Sequence, residues 1–176
     1  MTEFSVASFN VNGIRAARRR GFDTWLADRA PDVVGIQELR CPETEVGEFA
    51  GYEAAVDVGS VAGRNGVALL TRISPAAVRT WVTHPPKARG LKEFAEQGRY
   101  IEVDLADRAV TVACLYLPKG GLPAERQKSG GMRDQPDGGV KYERKQRFFA
   151  AFARELNRNR LAAQREGREF LLIGDL

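Results

Sequence analysis

Apolar and polar residues alternate from Phe4 to Phe9, run continuously apolar from Val33 to Ile36, and pick up again from Val67 to Leu70 straight after the Asn65-Gly66 turn signal. These patterns predict half-buried and fully buried β-strands. Val110 to Leu117 is rich in β-formers and predicts another. Tyr52 to Val58, Val78 to Val82 and Tyr100 to Leu105 are weaker strands of the same sort, and Phe170-Leu171-Leu172-Ile173 is a last apolar run. Helical spacing appears at Phe22, Trp25 and Leu26, and again at Phe148, Phe149, Phe152 and Leu156, where it continues to about Gln164. One short and one long amphipathic helix follow. Between Pro118 and Gly139 a Gly-, Pro- and base-rich stretch shows no periodicity and is expected to be a functional or mobile loop. No repeat or linker-like break interrupts the chain, so residues 1–176 are expected to form one domain, a length that supports one sizeable core.

No run approaches the roughly 18 apolar residues of a membrane helix, and Glu3 stands where a signal peptide would be basic. A cytoplasmic protein without a membrane partner is expected, as a monomer. Cys41 and Cys114 form no CxxC and lie near no histidine in sequence, which argues against zinc and predicts buried, inert thiols. The net charge of +4 is unevenly placed: Pro118 to Arg168 holds 13 Lys and Arg against 6 Asp and Glu, whereas residues 1–117 hold 14 against 15. Such a stretch either faces a polyanion such as nucleic acid or is a solvated helix face. No GxxxxGK[ST] motif occurs, so a P-loop is not expected.

Four predicted strands end in a polar side chain that could carry chemistry. Asn10 closes the first, Glu38 follows Val33-Val34-Gly35-Ile36-Gln37, Tyr116 ends the strand before Leu117-Pro118, and Asp175 follows Phe170 to Gly174. Each has an ordinary alternative: an Asx turn, a surface acid, a rim aromatic and a helix cap. Together, two carboxylates and an amide offer the oxygen donors a hard divalent cation prefers, which favours Mg2+, with Mn2+ as a substitute.

Ser8-Phe9-Asn10-Val11-Asn12-Gly13-Ile14-Arg15-Ala16, Pro31-Asp32-Val33-Val34-Gly35-Ile36-Gln37-Glu38, Gly66-Val67-Ala68-Leu69-Leu70-Thr71 and Gly174-Asp175, in this order, resemble the successive motifs of the exonuclease III type abasic (AP) endonuclease family within the endonuclease/exonuclease/phosphatase superfamily. The resemblance runs from about Phe4 to the last residue and covers the N-terminal part of a family member. It implies an α/β (α+β) four-layer αββα sandwich of two mixed β-sheets, incomplete at the C-terminus, with the active site at one edge of the sheets. It implies a Mg2+-dependent nuclease that cuts 5′ of abasic sites and removes nucleotides 3′ to 5′, with double-stranded DNA carrying abasic sites or 3′ ends as partner. Asn10, Glu38 and Asp175 match the family's metal-site residues, while Tyr116 and Asp175 match its catalytic tyrosine and aspartate. Arg40 stands in place of a family Lys near the metal and is expected to contact DNA. Lys119, Arg126, Lys128 and Arg133 are the expected phosphate contacts, because loops present basic side chains outward.

The chain departs from the family where the final Gly-Asp-any-Asn motif would need an Asn after Leu176, and in lacking the later Trp/Asp region and the Ser-Asp-His. His84, the one histidine, sits in a turn-like Val82-Thr83-His84-Pro85-Pro86 and is expected to be a bystander. Lys119 replaces the family's Asn or Gln. The chain by itself is therefore expected to be inactive and poorly folded, with apolar surface and open edges around Phe4 to Phe9 and Phe170 to Ile173. Two other readings stand: a phosphatase of the same superfamily, and a noncatalytic nucleic-acid-binding fragment using the Lys119 to Arg168 surface.

Overall fold

A computed structural model describes residues 3–61, 63–127 and 136–176. Its eight strands fall in two mixed sheets. One has the order β1-β2-β4-β3, built from Val6–Asn10, Val33–Gln37, Val67–Thr71 and Glu53–Asp57; the other runs β5-β6-β7-β8, from Ala77–Thr80, Tyr100–Asp104, Val110–Tyr116 and Glu169–Asp175. The β1–β2 and β7–β8 pairs are parallel and the rest antiparallel. Every expected strand exists, with ends displaced by a residue or two. The fifth strand stops two residues early, at Thr80, because Trp81–Thr83 turn, with the Thr80 hydroxyl accepting the Val82 and Thr83 N–H groups.

The layers follow from which faces are apolar. Val33, Val67 and Leu69 of the first sheet meet Ile101, Val103, Val112 and Cys114 of the second, and these side chains are buried. Gly35 permits this approach: a Cβ there would sit 2.6 Å from Ile173 Cδ1 and 3.3 Å from Cys114 Sγ. The outer face of the first sheet is covered by α1 (Ile14–Arg19) and α2 (Phe22–Arg29), separated by Gly21 at φ +95°. The single short helix expected around Phe22 is thus the second of two. The outer face of the second sheet carries α3, Val140–Arg165, whose Phe148, Ala151 and Phe152 pack on Trp81, Tyr100 and Leu115. The helix begins eight residues before Phe148, where Gly139 turns the chain at φ +86°.

A 3-10 segment, Arg89–Phe94, shares that layer and went unread in the sequence. Phe94 meets Phe148 edge to face at 4.9 Å. Its signal is the three-residue spacing of the buried Ala88, Leu91 and Phe94. The architecture is the expected four-layer αββα sandwich. Among the described strands β1 and β8 are sheet edges, as expected, and Phe9 and Leu171 are 41% and 36% exposed.

Both cysteines are free and buried, and burial pushes the Cys114 thiol up to about 12, so the expectation of inert thiols agrees with the structure. Cys114 accepts a hydrogen bond from Gln37 Nε2 at 3.1 Å, across the sheets. No described helix is long and apolar enough to cross a membrane.

Candidate active site at the strand ends

The register carries four polar residues to one rim. β1 and β2 run parallel with Asn10 opposite Gln37, the residue before Glu38, while β7 and β8 run parallel with Tyr116 opposite Asp175. Parallel strands with a common exit place all four side chains outside their carboxyl ends, where open α/β sheets build their sites. Two hydrogen bonds then tie the sheets together. Asn10 Nδ2 donates to Asp175 Oδ2 at 2.7 Å, and Tyr116 OH donates to Glu38 Oε1 at 2.5 Å.

Backbone geometry serves this convergence. Glu38 lies at φ +61°, a left-handed conformation that costs a non-glycine residue of order 1–3 kcal/mol and that surrounding structure must hold. It is held: Gly13 N–H donates to the Glu38 carbonyl at 2.7 Å, and Leu39 and Arg40 donate to Gly66 and Asn65. Gly174 is required in the last strand, since at φ +148° a Cβ would lie 1.9 Å from the Leu115 carbonyl oxygen. That close approach brings the Asp175 carbonyl to accept from Leu117 N–H at 3.1 Å, so the ends of β7 and β8 are locked in step.

The ordinary alternatives fare unequally. Asn10 does form the Asx turn, its Oδ1 accepting Asn12 N–H at 3.1 Å, and makes its contact with Asp175 as well. Glu38 is no surface acid, for its side chain is only 12% exposed. Arg40 is expected at DNA, and here its guanidinium sits on Glu38 Oε2 at 2.6 Å. Burial, then the hydrogen bond to Glu38, push the Tyr116 phenol up to about 12, which keeps it a neutral donor at ordinary pH.

Beneath Tyr116 lies Arg99, which the sequence reading missed. Its guanidinium stacks 5.2 Å from the Tyr116 ring and donates to the Leu117 carbonyl at 3.0 Å, while Nε binds Gln97 Oε1. Burial brings Arg99 down to about 10. Its signal is faint: an arginine that opens a buried strand in Gly98-Arg99-Tyr100.

The remaining expected contacts scatter. Arg126 is exposed on a 3-10 turn, Ala124–Arg126, and Lys119 is exposed just past Tyr116. Lys128 and Arg133 lie outside the described residues. Gln127 closes the loop by accepting the Asp137 and Gly138 N–H groups and donating to Asp137 Oδ1. Some of the basic stretch is spent on the fold: Arg144 pairs with Glu93 at 2.9 Å over the Phe94 ring, and Arg168 donates to the Leu105 and Val110 carbonyls. Among the described residues the His84 ring hydrogen-bonds the neighbouring Thr83 hydroxyl, and its backbone N–H donates to the Thr80 carbonyl.

Among the described residues no three His, Cys, Asp or Glu side chains cluster as a metal site. The donor set at the rim is instead two carboxylates with an amide. Its chemistry fits a hard divalent cation: all donors are oxygens, and Glu38 already holds a positive group.

The family model for the endonuclease/exonuclease/phosphatase family matches residues 7–176. The chain belongs to that family. The DNA repair nuclease APEX1 of Danio rerio is 28% identical over 120 residues, which is 64% of this chain and 36% of the relative. Among solved structures, a 3′-5′ exonuclease (NExo) from Neisseria meningitidis aligns with TM-score 0.70 at 23% identity, over 98% of this chain and 57% of that one. An AP endonuclease from Archaeoglobus fulgidus gives 0.65 at 22%, over 89% and 52%. The likenesses to solved structures show the shared fold. These comparisons agree with the exonuclease III type expected from the motifs. The chain spans about a third of the curated relative and little more than half of the solved ones.

Proposed function

We propose that this chain carries the N-terminal share of a Mg2+-dependent DNA repair nuclease of exonuclease III type, which hydrolyses the phosphodiester 5′ of an abasic site and removes nucleotides from 3′ ends. The observation that carries the reading is the pair of inter-sheet hydrogen bonds, Asn10 to Asp175 and Tyr116 to Glu38. They draw an amide, two carboxylates and a phenol from four separate strands to one rim, beside exposed Lys119.

Glu38, with Asn10 and Asp175, would hold the divalent cation, which when bound supplies charge neutralisation on the nonbridging phosphate oxygens. Arg40, whose guanidinium rests on Glu38 Oε2, would be placed to turn toward the phosphate. Asp175, fixed by Asn10 Nδ2 through one oxygen, keeps the other to orient or deprotonate the attacking water. Tyr116 stays protonated at working pH and offers its phenolic hydrogen to Glu38 or to phosphate. Arg40, Lys119 and Arg126, with Lys128 and Arg133, contact the DNA backbone. The protein acts as a cytoplasmic monomer.

A polypeptide extended to the relatives' length is expected to nick duplex DNA 5′ of an abasic site in Mg2+ and to lose that activity with Glu38→Gln. Residues 1–176 alone are expected to show little hydrolysis. Nicking that persists in the Glu38→Gln protein overturns the assignment, and nicking by residues 1–176 alone overturns the division of labour.

A further inference from the structure

Arg99 lies beneath the candidate site, just ahead of β6, and is 8% exposed. Its carbonyl accepts the Tyr116 N–H at 2.8 Å, so backbone pairing already sets the two residues side by side. The guanidinium adds a second hold. Nη1 donates to the Leu117 carbonyl at 3.0 Å and to the Tyr116 carbonyl at 3.3 Å, while the Tyr116 ring centroid lies 5.2 Å from the guanidinium carbon. Tyr116 is gripped at both ring and carbonyl.

Arg99 is itself held in place. Gln97 Oε1 accepts from Nε at 2.9 Å and Asn65 Oδ1 from Nη2 at 3.4 Å. Asn65 Nδ2 donates to the Gln97 carbonyl at 3.0 Å, and the Asn65 carbonyl accepts the N–H of Arg40, two residues past Glu38. The holder is anchored to the turn that follows the Glu38 strand.

What sets Arg99 apart is the kind of acceptor it has. Each is neutral, and no carboxylate pairs with it among the described residues, whereas Arg79 binds both Glu102 and Asp104. A guanidinium buried without a counter-charge is costly, and strand-end carbonyls are as well served by a neutral amide or by water. A role in the fold alone leaves the charge unexplained. A cation desolvated against an aromatic ring is strongly attracted to it, which fixes the ring. The ring's placement matters here, because the phenol must reach Glu38 Oε1 across the sheets and a hydrogen bond weakens steeply with misalignment.

We propose that Arg99 is a positioning residue of the strand-end site: acting through Tyr116, it fixes the ring so that the phenol meets Glu38 and the phosphate, and does not itself touch DNA. The reaction it serves is the one given by the nuclease reading above, on which that part of the proposal rests.

One arm of the test needs no activity. The 176-residue chain carrying 3-fluorotyrosine at its four tyrosines gives a fluorine NMR spectrum in which Tyr116 is assigned by its loss in Tyr116→Phe. Arg99→Met is expected to shift or broaden the Tyr116 resonance and to leave those of Tyr52 and Tyr142 in place. Gln97→Ala loosens the guanidinium without removing it and is expected to move the Tyr116 resonance by less, so a failure of Arg99→Met to fold leaves a readable variant. In the polypeptide extended to the relatives' length, Arg99→Met is expected to lower kcat for abasic-site nicking about 20-fold with KM within about twofold, and Arg99→Lys to recover part of the loss. In a Tyr116→Phe background Arg99→Met is expected to cost less than about threefold, because its effect runs through the phenol. A Tyr116 resonance unmoved in both variants, equal displacement of Tyr52 and Tyr142, a rise in KM at unchanged kcat, or an undiminished loss in the Tyr116→Phe background overturns the proposal. If the extended wild-type protein fails to nick abasic DNA, the nuclease reading falls, and the Tyr116 resonance still decides whether Arg99 positions the ring.

Discussion

Two carboxylate–guanidinium networks in this molecule use the same side chains and have different fates. On the second sheet, where edge strand β5 meets β6, Arg79 binds Glu102 through Nε and Asp104 through both terminal nitrogens, at 2.8 and 2.7 Å. Thr111 donates to Asp104 at 2.6 Å, Tyr100 to Glu102 at 2.6 Å, and Arg168 closes the far side. Arg79 and Glu102 are register partners on neighbouring strands, as are Asp104 and Thr111, within regular backbone. At the rim, Glu38 meets one phenol and one half-exposed Arg40 from a left-handed backbone position, past the end of its strand. The first network is saturated and fixed on all sides. The second is held by only two groups that can move or be replaced, the Tyr116 phenol and a half-exposed guanidinium. What separates scaffold from site is therefore position along the strand and spare coordination, not residue type.

Four substitutions sharpen or break this contrast. Arg79→Ala leaves Glu102 buried without a cation and Asp104 with Arg168 alone, and is expected to destabilise by about 3–5 kcal/mol in denaturant unfolding while divalent-cation binding survives. Hydrogen bonds from Arg79 and Thr111 outweigh the desolvation of Asp104 and hold its carboxyl below the ordinary range. The stability Asp104 contributes is thus present above that range and drains as pH falls through its folded pKa, and Arg79→Ala is expected to flatten this acid limb.

Glu38→Gln should reverse the pattern, with unfolding little changed and Mn2+ affinity, followed by electron paramagnetic resonance, reduced about a hundredfold or more. Tyr116→Phe removes the hydrogen bond that orients Glu38, and an affinity loss of about tenfold is expected. It has a pH signature as well. Tyr116 ionises at about 12 in the folded protein, above a free tyrosine, so it adds stability below about pH 10 that is lost as pH rises through 12. The wild-type chain should show that alkaline loss and Tyr116→Phe should lack it. The smallest effect is expected from Arg40→Ala, which removes a competing cation and should raise Mn2+ affinity about two- to fivefold. A fall in affinity instead would make Arg40 part of the metal's support.

The candidate site was legible in the sequence where polar residues coincide with strand ends. Asn10, Glu38, Tyr116 and Asp175 each follow a recognisable apolar run, and parallel pairing does the rest. Arg99 was not legible, because a buried arginine leaves no periodic trace and its meaning lies in stacking on a residue 17 positions later. The 3-10 segment at Arg89–Phe94 was missed for a related reason: three apolar residues at spacing three, flanked by bases, look like loop until Phe148 arrives from a distant helix. Charge counting overstated how freely the basic stretch faces outward, since it cannot tell Arg168, bound to backbone carbonyls inside the fold, from Arg126 on an exposed turn.

The central claim is that Glu38 and the Asn10–Asp175 pair form one cation site across two sheets. Anomalous diffraction from crystals equilibrated with Mn2+ tests it directly. The account predicts a single strong peak about 2.2 Å from a Glu38 carboxylate oxygen, on the side facing Asn10 and Asp175, that vanishes in Glu38→Gln. A peak elsewhere on the molecule with none at Glu38, or one that survives the substitution, would contradict it.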